Sequence, residues 1–214
     1  AECEPYITCD TRIMIEYARE FVSGARMLYR SLGLSRAYIG IEDNKTEAIA
    51  ALNKYIDESG TDDIIVSVLP TKYPQGAEKQ LVYGVTGRKI PIGALPSAVG
   101  VVVANVHTAL STYFAVADGV PLYKRIMTVT GGGITNPKNL WVSTGTLYSD
   151  VIEYCGGLKE GKSVVKMING GPMMGTAVSG ATIACTKTTG CLLLMTDKEA
   201  FTGKPSPCIN CGRC

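Results

Sequence analysis

The sequence lacks several features that would place it in a special class of protein. Its nearest approach to a membrane span, VGVVVANV, is far shorter than the roughly 18 apolar residues that a span needs. The formal net charge of +2 over 214 residues gives no electrostatic reason to expect nucleic-acid binding. The sequence opens on AECEP without a Met or a signal-peptide pattern, and both ends are predicted to be boundaries within a longer protein. A hydrophobic content of 46% indicates a folded core.

Cysteine is abundant, but its distribution does not suit a disulfide framework, which belongs mainly to small secreted chains. Five of the 8 cysteines are spread through segments that read as regular structure, namely Cys3, Cys9, Cys155, Cys185 and Cys191. The sequence therefore predicts a reduced, cytosolic protein.

The first third of the chain alternates between helix and strand patterns. Residues 10–33 and 44–60 carry apolar residues at helical spacing, begin at the candidate N-caps Asp10 and Asn44, and stop at glycines. The intervening RAYIGIE and the following DIIVSVLP read as strands, and the second is apolar enough to be buried on both faces. This order predicts an α/β fold with a parallel sheet.

The middle of the chain is predicted to carry a ligand-binding loop. Residues 71–93 are rich in Gly, Pro and Tyr and follow the second strand, at the edge of a parallel sheet where ligands usually bind. A helix over 98–118 is expected next. Beyond Gly119, β-branched residues alternate around Gly and Asn-Pro turns, which predicts a small α+β domain. We therefore expect domains at 1–120 and 121–176, a β-rich connection over 177–205, and the start of a further domain at 206–214.

The sequence ends on three evenly spaced cysteines, Cys208, Cys211 and Cys214. Their C-x2-C-x2-C spacing matches the first three cysteines of a ferredoxin-type 4Fe–4S run, which continues to a fourth cysteine. The alternatives are a zinc site, which usually pairs two separate C-x2-C knuckles, and no metal at all. Three thiolates leave one iron of a cube without a protein ligand, so we expect this chain alone to hold no cluster.

Seven segments together resemble one family: AECEPYITCDTRIM, YPQGAEKQLVYGVTGRKIP, VANVHTAL, GGGITNPKNLWVSTGT, VIEYCGGL, NGGPMMG and CINCGRC. In this order they resemble the C subunit of the Rnf electron-transport complex and, more distantly, the NADH-oxidising flavin subunit of respiratory complex I. The resemblance covers the whole chain. It implies a Rossmann-like three-layer flavin/NADH domain without its N-terminal glycine-rich loop, followed by a small α+β β-grasp domain of the SLBB type.

The resemblance also implies a set of site residues. Carboxylates can accept hydrogen bonds from ribose or ring groups, and a glycine lets the backbone approach a flavin ring. No catalytic side chain is expected, because hydride transfer is the chemistry of the flavin and the nicotinamide. The terminal cysteines Cys208, Cys211 and Cys214 are the expected metal ligands, and the expected cofactor-binding residues are Glu2, Cys3, Glu4, Tyr73, Gly76, Glu78, Asn105 and Thr108.

The function implied by the resemblance is electron transfer in a membrane-associated complex. The longer parent protein would carry FMN, NAD(H) and two 4Fe–4S clusters in an ion-translocating NAD:ferredoxin oxidoreductase. Its partners would be the other Rnf subunits and ferredoxin, at the cytoplasmic face of the membrane, and we expect no cofactor to remain bound to this chain alone. The alternative is a non-enzymatic β-grasp module that binds a small ligand or a partner subunit.

Overall fold

The structure is a computed structural model that describes residues 2–200, 203 and 206–211. The chain divides into two compact units. The first contains residues 2–3 and Thr8–Leu122, and the second contains Glu4–Ile7 and the chain from Tyr123 onward. In the part of the chain that is described, no helix combines the length and the apolar character that crossing a membrane requires.

The first unit follows the predicted alternation of helices and strands. Its two strands pair in parallel, from Ala37 opposite Ile64 to Glu42 opposite Leu69. The elements in chain order are α1 (Cys9–Glu16), α2 (Ala18–Ser31), β1 (Ala37–Glu42), α3 (Thr46–Ser59), β2 (Ile64–Leu69), α4 (Glu78–Thr86), a 3-10 turn (Pro96–Val99) and α5 (Val106–Ala117). The predicted α/β class is therefore confirmed.

The single helix predicted over residues 10–33 was wrong, because the chain bends at Tyr17. This residue has φ −124° and ψ 35°, outside the helical region, and separates α1 from α2. The Tyr17 amide still donates to the Ile13 carbonyl and the Phe21 amide to the Tyr17 carbonyl, at 2.9 and 2.8 Å. Hydrogen bonding and apolar spacing thus continue through the bend, so the sequence pattern does not reveal it.

The predicted ends of α3 were half correct. Gly60 follows the helix with φ 60°, the left-handed conformation that favours glycine at a helix C-terminus. At the other end the N-cap position is Lys45 rather than Asn44, and no side chain caps the helix there.

The helix predicted over residues 98–118 is shorter in the structure. Gly100, with φ 67°, ends the 3-10 turn, and the chain then has no regular secondary structure until α5 begins after Asn105. The Asn105 side chain accepts a hydrogen bond from the His107 amide, the standard N-cap contact. The start of α5 is therefore set by Asn105.

Strand β2 is not buried on both faces as its sequence predicted. Ile65 is 37% and Val68 52% exposed, whereas Ile39 and Ile41 in β1 are 7% and 1% exposed. Among the described residues β2 pairs only with β1, so it lies at the edge of its sheet. An apolar run alone does not distinguish an edge strand from a central one.

The position of α5 depends on a close approach to α2. A Cβ atom on Gly24 of α2 would lie 1.9 Å from the carbonyl oxygen of Ala109 in α5. Only glycine permits backbones to come this close. Ala109 and Leu110 are 3% and 0% exposed, so this contact fixes the first turns of α5 in the core of the first unit.

The described residues of the second unit form a five-stranded sheet with one helix. Strands β3 and β4 form an antiparallel hairpin, and the strand order is β4-β3-β7-β5-β6, with β7 parallel to β3 and antiparallel to β5. The elements are β3 (Lys124–Thr130), β4 (Lys138–Ser143), α6 (Tyr148–Tyr154), β5 (Val164–Asn169), β6 (Thr176–Val178) and β7 (Cys191–Thr196). This mixed sheet with a single helix agrees with the expected α+β class.

The stretch predicted as a connection over residues 177–205 contributes the centre of this sheet. All six residues of β7 are buried, and Leu192, Leu193 and Leu194 are 0% exposed. Leu192 and Leu194 pack with the buried α6 residues Tyr148, Val151 and Ile152, while Leu193 packs in a separate cluster with Ile168 and Ile7. The sequence could not place β7 because nothing local indicates which neighbours a buried strand will pair with.

Candidate functional site

The carboxyl ends of the two parallel strands are joined by acidic side chains. At the end of β1, Glu42 is 2% exposed and accepts a hydrogen bond from the Lys72 amide at 3.3 Å. The next residue, Asp43, accepts bonds from the amide and the hydroxyl of Thr71, which hold the pKa of its carboxyl below the usual value. These contacts attach the loop after β2, where the sequence predicted ligand binding, to the end of β1.

Glu2 is a buried carboxyl group at the start of α1. It is 9% exposed and accepts hydrogen bonds from the amides of Asp10 and Thr11, at 2.9 and 3.2 Å, and from the Thr11 hydroxyl at 2.5 Å. The Lys45 ammonium lies 3.9 Å from its Oε2. Burial, assisted by the negative charge of Asp10, raises the pKa of Glu2 to about 7 despite these favourable contacts. Glu2 therefore changes charge near neutral pH.

Asn105 and Asp10 join two helix N-termini. The Asn105 Nδ2 atom donates to the Asp10 Oδ2 atom at 2.8 Å, and the Asn105 Oδ1 atom accepts from the His107 amide at 2.9 Å. Since the Asp10 amide donates to Glu2, a continuous set of hydrogen bonds runs from Glu2 through Asp10 to Asn105. Two of the predicted site residues, far apart in sequence, are thus brought together by a residue whose sequence position indicated only a helix cap.

The rest of α5 supplies one exposed and one buried polar side chain. Thr108 is exposed on the first turn. His107 is 3% exposed, and its Nδ1 atom lies 3.1 Å from the Ser111 hydroxyl. This contact gives the buried His107 a structural role within α5.

The predicted residues of the loop after β2 lie at the start of α4. Tyr73 and Gly76 are half-buried, and Glu78, the first residue of α4, is exposed. Two backbone hydrogen bonds, from Gln75 to Lys72 and from Ala77 to Pro74, fold the loop into successive turns. The convergence of Tyr73 and Glu78 with Asn105 on a single ligand stays a prediction.

Glu4 belongs to the second unit, unlike Glu2 and the half-buried Cys3. Its two carboxylate oxygens accept hydrogen bonds from the amides of Met173 and Met174, at 3.1 and 2.6 Å. A Cβ atom on Gly171 would lie 2.2 Å from Glu4 Oε2, so the absence of a side chain at Gly171 makes room for this carboxylate. The structure shows the Glu4 carboxylate bound to this loop. The cofactor contact expected of Glu4 stays a prediction.

The described part of the terminal cysteine motif is exposed. Cys208 and Cys211 carry free thiols, and Cys208 Sγ accepts a hydrogen bond from the Asn210 amide at 3.3 Å. Amide-to-sulfur hydrogen bonds of this kind tune cysteine ligands in iron–sulfur sites. Cys214 lies outside the described residues.

Asp10 and Lys45 were missed as members of this polar network, and Glu42 was missed as a residue that binds the loop after β2. Each lies within one or two residues of a predicted helix or strand end, where a polar residue is ordinarily a cap or a solvated side chain. The one available signal was their position, because Glu42 and Lys45 follow the carboxyl end of a parallel strand.

Comparison with protein families identifies both units. Residues 1–113 match the family described as the Nuo51 FMN-binding domain. Residues 126–177 match the SLBB domain. The first match covers more than half of the 214-residue chain.

Three curated relatives align over the whole chain, and each is the C subunit of its complex. That of the proton-translocating ferredoxin:NAD(+) oxidoreductase complex of Clostridium ljungdahlii is 47% identical, with 46% of its length covered. That of the Na(+)-translocating complex of Acetobacterium woodii is 45% identical, with 47% covered. That of the ion-translocating oxidoreductase complex of Rhodobacter capsulatus is 42% identical, with 41% covered. The chain thus spans about half the length of the curated relatives that it matches.

Among solved structures, the NAD+-reducing [NiFe]-hydrogenase in the H2-reduced state contains a chain of the same fold. The TM-score is 0.73 at 15% sequence identity, and the match covers 89% of this chain and 38% of that chain. At this identity the likeness concerns the fold alone.

Proposed function

Because the chain belongs to the Nuo51 FMN-binding family and carries an SLBB domain after that region, we propose that it is the flavin- and NADH-binding part of an ion-translocating ferredoxin:NAD oxidoreductase. The observation that carries this proposal is the similarity, over the full length of this chain, to the C subunits of such complexes, at 42–47% identity. The polar network from Glu2 to Asn105 supports the proposal, because it brings together two of the residues expected to bind the cofactor.

The residues of the first unit suit FMN. Asn105 and Thr108 offer amide and hydroxyl groups at the N-terminus of α5, where the helix dipole favours an electron-rich ligand. Tyr73 offers an aromatic face and Gly76 a backbone without a side chain, next to Glu78. Glu2 and Cys3 lie at the start of the unit, and the buried Glu2 holds or releases a proton near neutral pH. When bound, FMN would accept a hydride from NADH and pass on electrons singly.

The cysteine motif suits the first ligands of a 4Fe–4S cluster. Cys208 and Cys211 are exposed on a short loop, and an amide already points at one sulfur. We assign Cys208, Cys211 and Cys214 as ligands of one of two such clusters, which would be completed by cysteines of the longer protein.

The proposed partners are NAD(H), ferredoxin and the other subunits of the complex. The names of the relatives place them in ion-translocating complexes, so we propose that this protein associates with membrane-embedded subunits at the cytoplasmic face of the membrane. No role in nucleic-acid binding is proposed.

The test of this function is a flavin titration of the full-length protein. We expect FMN to bind with quenching of its fluorescence, and anaerobic NADH to bleach the yellow colour. Asn105→Leu should weaken FMN binding because it removes both polar ends of the amide. Asp62→Asn, which changes an exposed residue before β2, is the matched control. A full-length protein that binds no FMN would overturn the proposal.

The SLBB match favours one second candidate, a β-grasp module that binds a small ligand or partner without catalysis. The second unit has its own hydrophobic core around Met127, Tyr148 and Leu192. Colourless protein that still binds another complex subunit would support this candidate over the enzyme.

A further inference from the structure

Both ends of the Asn105 side-chain amide are fixed by partners that leave no choice of orientation. The His107 backbone N–H can only donate, so the atom that it meets at 2.9 Å must be the amide oxygen. The Asp10 carboxylate, when ionised, can only accept, so the atom that it meets at 2.8 Å must be the amide nitrogen. Each bond alone opposes rotation about the last side-chain torsion, and the two together hold the amide at both ends.

The two partners are not equivalent. The His107 contact is an N-cap that α5 would form with any Asn, Asp, Ser or Thr at this position. The Asp10 contact comes from a different helix and carries a charge, which makes it the shorter and stronger of the two classes of hydrogen bond. Asp10 thus links the direction of the Asn105 amide to the placement of α1.

Asp10 is itself held in place by its neighbours. Its backbone amide donates to Glu2 at 2.9 Å in the first turn of α1, and Glu2 also binds both donors of Thr11. The Lys45 ammonium, 3.9 Å from Glu2, adds a positive charge beside the Glu2 carboxyl group. A residue whose backbone is anchored in this way can hold a side-chain partner in place.

We propose that Asp10 is a positioning residue of the flavin site, which sets the orientation of the Asn105 amide toward the cofactor; this inference rests on the proposed function. Asp10 acts through Asn105 and needs no contact with FMN of its own. Asn105 has two donors and two acceptor lone pairs, so its bonds to Asp10 and His107 leave one N–H and one lone pair in a fixed direction.

The cofactor-free test is nuclear magnetic resonance of the Asn105 side-chain NH2 group in the 214-residue chain. In the wild type we expect one of its two protons to be shifted downfield and protected from exchange by the Asp10 carboxylate. Asp10→Ala should return both protons to the positions of a solvated amide. Asp10→Asn keeps an acceptor oxygen and should retain much of the shift.

The second measurement is FMN affinity in the full-length protein. Loss of a charge-assisted hydrogen bond corresponds to about a tenfold change in an equilibrium constant. We therefore expect Asp10→Ala to weaken FMN binding about fivefold to tenfold, and Asp10→Asn to recover most of that loss. Glu16→Ala is the control, because it removes an exposed carboxylate and its ion pair with Arg12 from the same helix without touching Asn105.

The outcomes separate this inference from the function on which it rests. Wild-type FMN binding with equal affinity in Asp10→Ala would overturn the positioning role and leave the proposed function standing. An unchanged Asn105 NH2 signal in Asp10→Ala would overturn it as well, whatever the affinity. A wild-type protein that binds no FMN would overturn the function and this inference together. An equal loss in Glu16→Ala would show that loosening of α1 is responsible and would also overturn it.

Discussion

Glu2 in the first unit and Glu199 in the second each accept hydrogen bonds from backbone amides and from a threonine hydroxyl. Glu199 binds the amides of Gly132 and Thr196, the Thr196 hydroxyl and the Tyr6 hydroxyl. Burial disfavours the ionised form of both groups. At Glu199 the hydrogen bonds outweigh it and lower the pKa, whereas at Glu2 deeper burial and the charge of Asp10 prevail and raise it to about 7.

This difference shows that the number of hydrogen-bond donors does not by itself decide the charge of a buried carboxyl group. Glu199 is half-buried, and its donors fix an ionised group that holds loops of the second unit together. Glu2 lies near a second carboxylate, that of Asp10. Repulsion between the two negative charges offsets part of the stabilisation that the hydrogen bonds give to ionised Glu2. Glu199 in the second unit therefore stays ionised near neutral pH, whereas Glu2 in the first unit titrates there.

The two units also differ in their sheets, and the largest effect that we predict tests this difference. Leu193→Ala in the fully buried β7 should lower the free energy of unfolding by about 2–5 kcal/mol, from lost burial and an unfilled cavity. Val68→Ala in the exposed β2 should cost less than about 1 kcal/mol, because half of that side chain is already in water. Urea unfolding of both variants is the measurement.

Trp141 is the one tryptophan in the sequence and lies on β4, so its fluorescence reports on the second unit. Equal losses in the free energy of unfolding for Leu193→Ala and Val68→Ala would show that the difference in burial between β7 and β2 does not affect stability.

The next effect concerns the helices of the first unit. Gly24→Ala should destabilise that unit by about 1–3 kcal/mol, since the new Cβ atom would overlap the Ala109 carbonyl and force α2 away from α5. The unfolding midpoint followed by the helical circular dichroism signal should fall to a lower urea concentration. The midpoint followed by Trp141 fluorescence should not change. Gly180→Ala, where a Cβ atom meets nothing within 4 Å, is the control. A stability gain in Gly24→Ala would contradict the close approach.

The pKa shifts predict opposite pH trends for the two units. Glu2 has a raised pKa in the folded state, so the folded first unit binds more protons than the unfolded chain between about pH 4.5 and 7. Its stability should fall as the pH rises through this window, with a slope of at most about 1.4 kcal/mol per pH unit. Glu199 has a lowered pKa, so the stability it gives the second unit is lost as the pH falls below about 4.5.

Urea titrations at several pH values check this, with Glu2→Gln as the variant. We expect the downward slope of the first unit to disappear in Glu2→Gln while the acid loss of the second unit persists. A first unit whose wild-type stability rises between about pH 5 and 7 would exclude an elevated pKa at Glu2.

The smallest predicted effect is a change in titration alone. Because the charge of Asp10 helps to raise the pKa of Glu2, Asp10→Asn should lower that pKa. Carbon-13 resonances of the Glu2 carboxyl group, followed against pH, measure this directly. If the pKa of Glu2 is unchanged in Asp10→Asn, burial alone raises it. The contrast between Glu2 and Glu199 would then depend only on how deeply each carboxyl group is buried.

The sequence predicted what depends on local pattern and missed what depends on distant partners. Gly60 ended α3 as expected, because a left-handed residue after a helix is a local requirement. Glu2 and Glu4 looked equivalent in AECEP, yet one binds the start of α1 and the other the NGGPMMG loop 170 positions away. The role of Asp10 was likewise hidden, since its partner Asn105 lies 95 positions along the chain.

The central place of β7 also bears on the order of events during synthesis. Strands β3 and β5 both leave the ribosome before β7, and each must keep an unpaired edge until that strand arrives between them. Tyr6 likewise waits for its partner Glu199, which lies 193 positions later in the chain. Such long-range pairing slows folding and leaves unpaired, aggregation-prone strand edges accessible to other chains. Growing polypeptides that stop short of β7 should therefore be the form of this protein most in need of a chaperone.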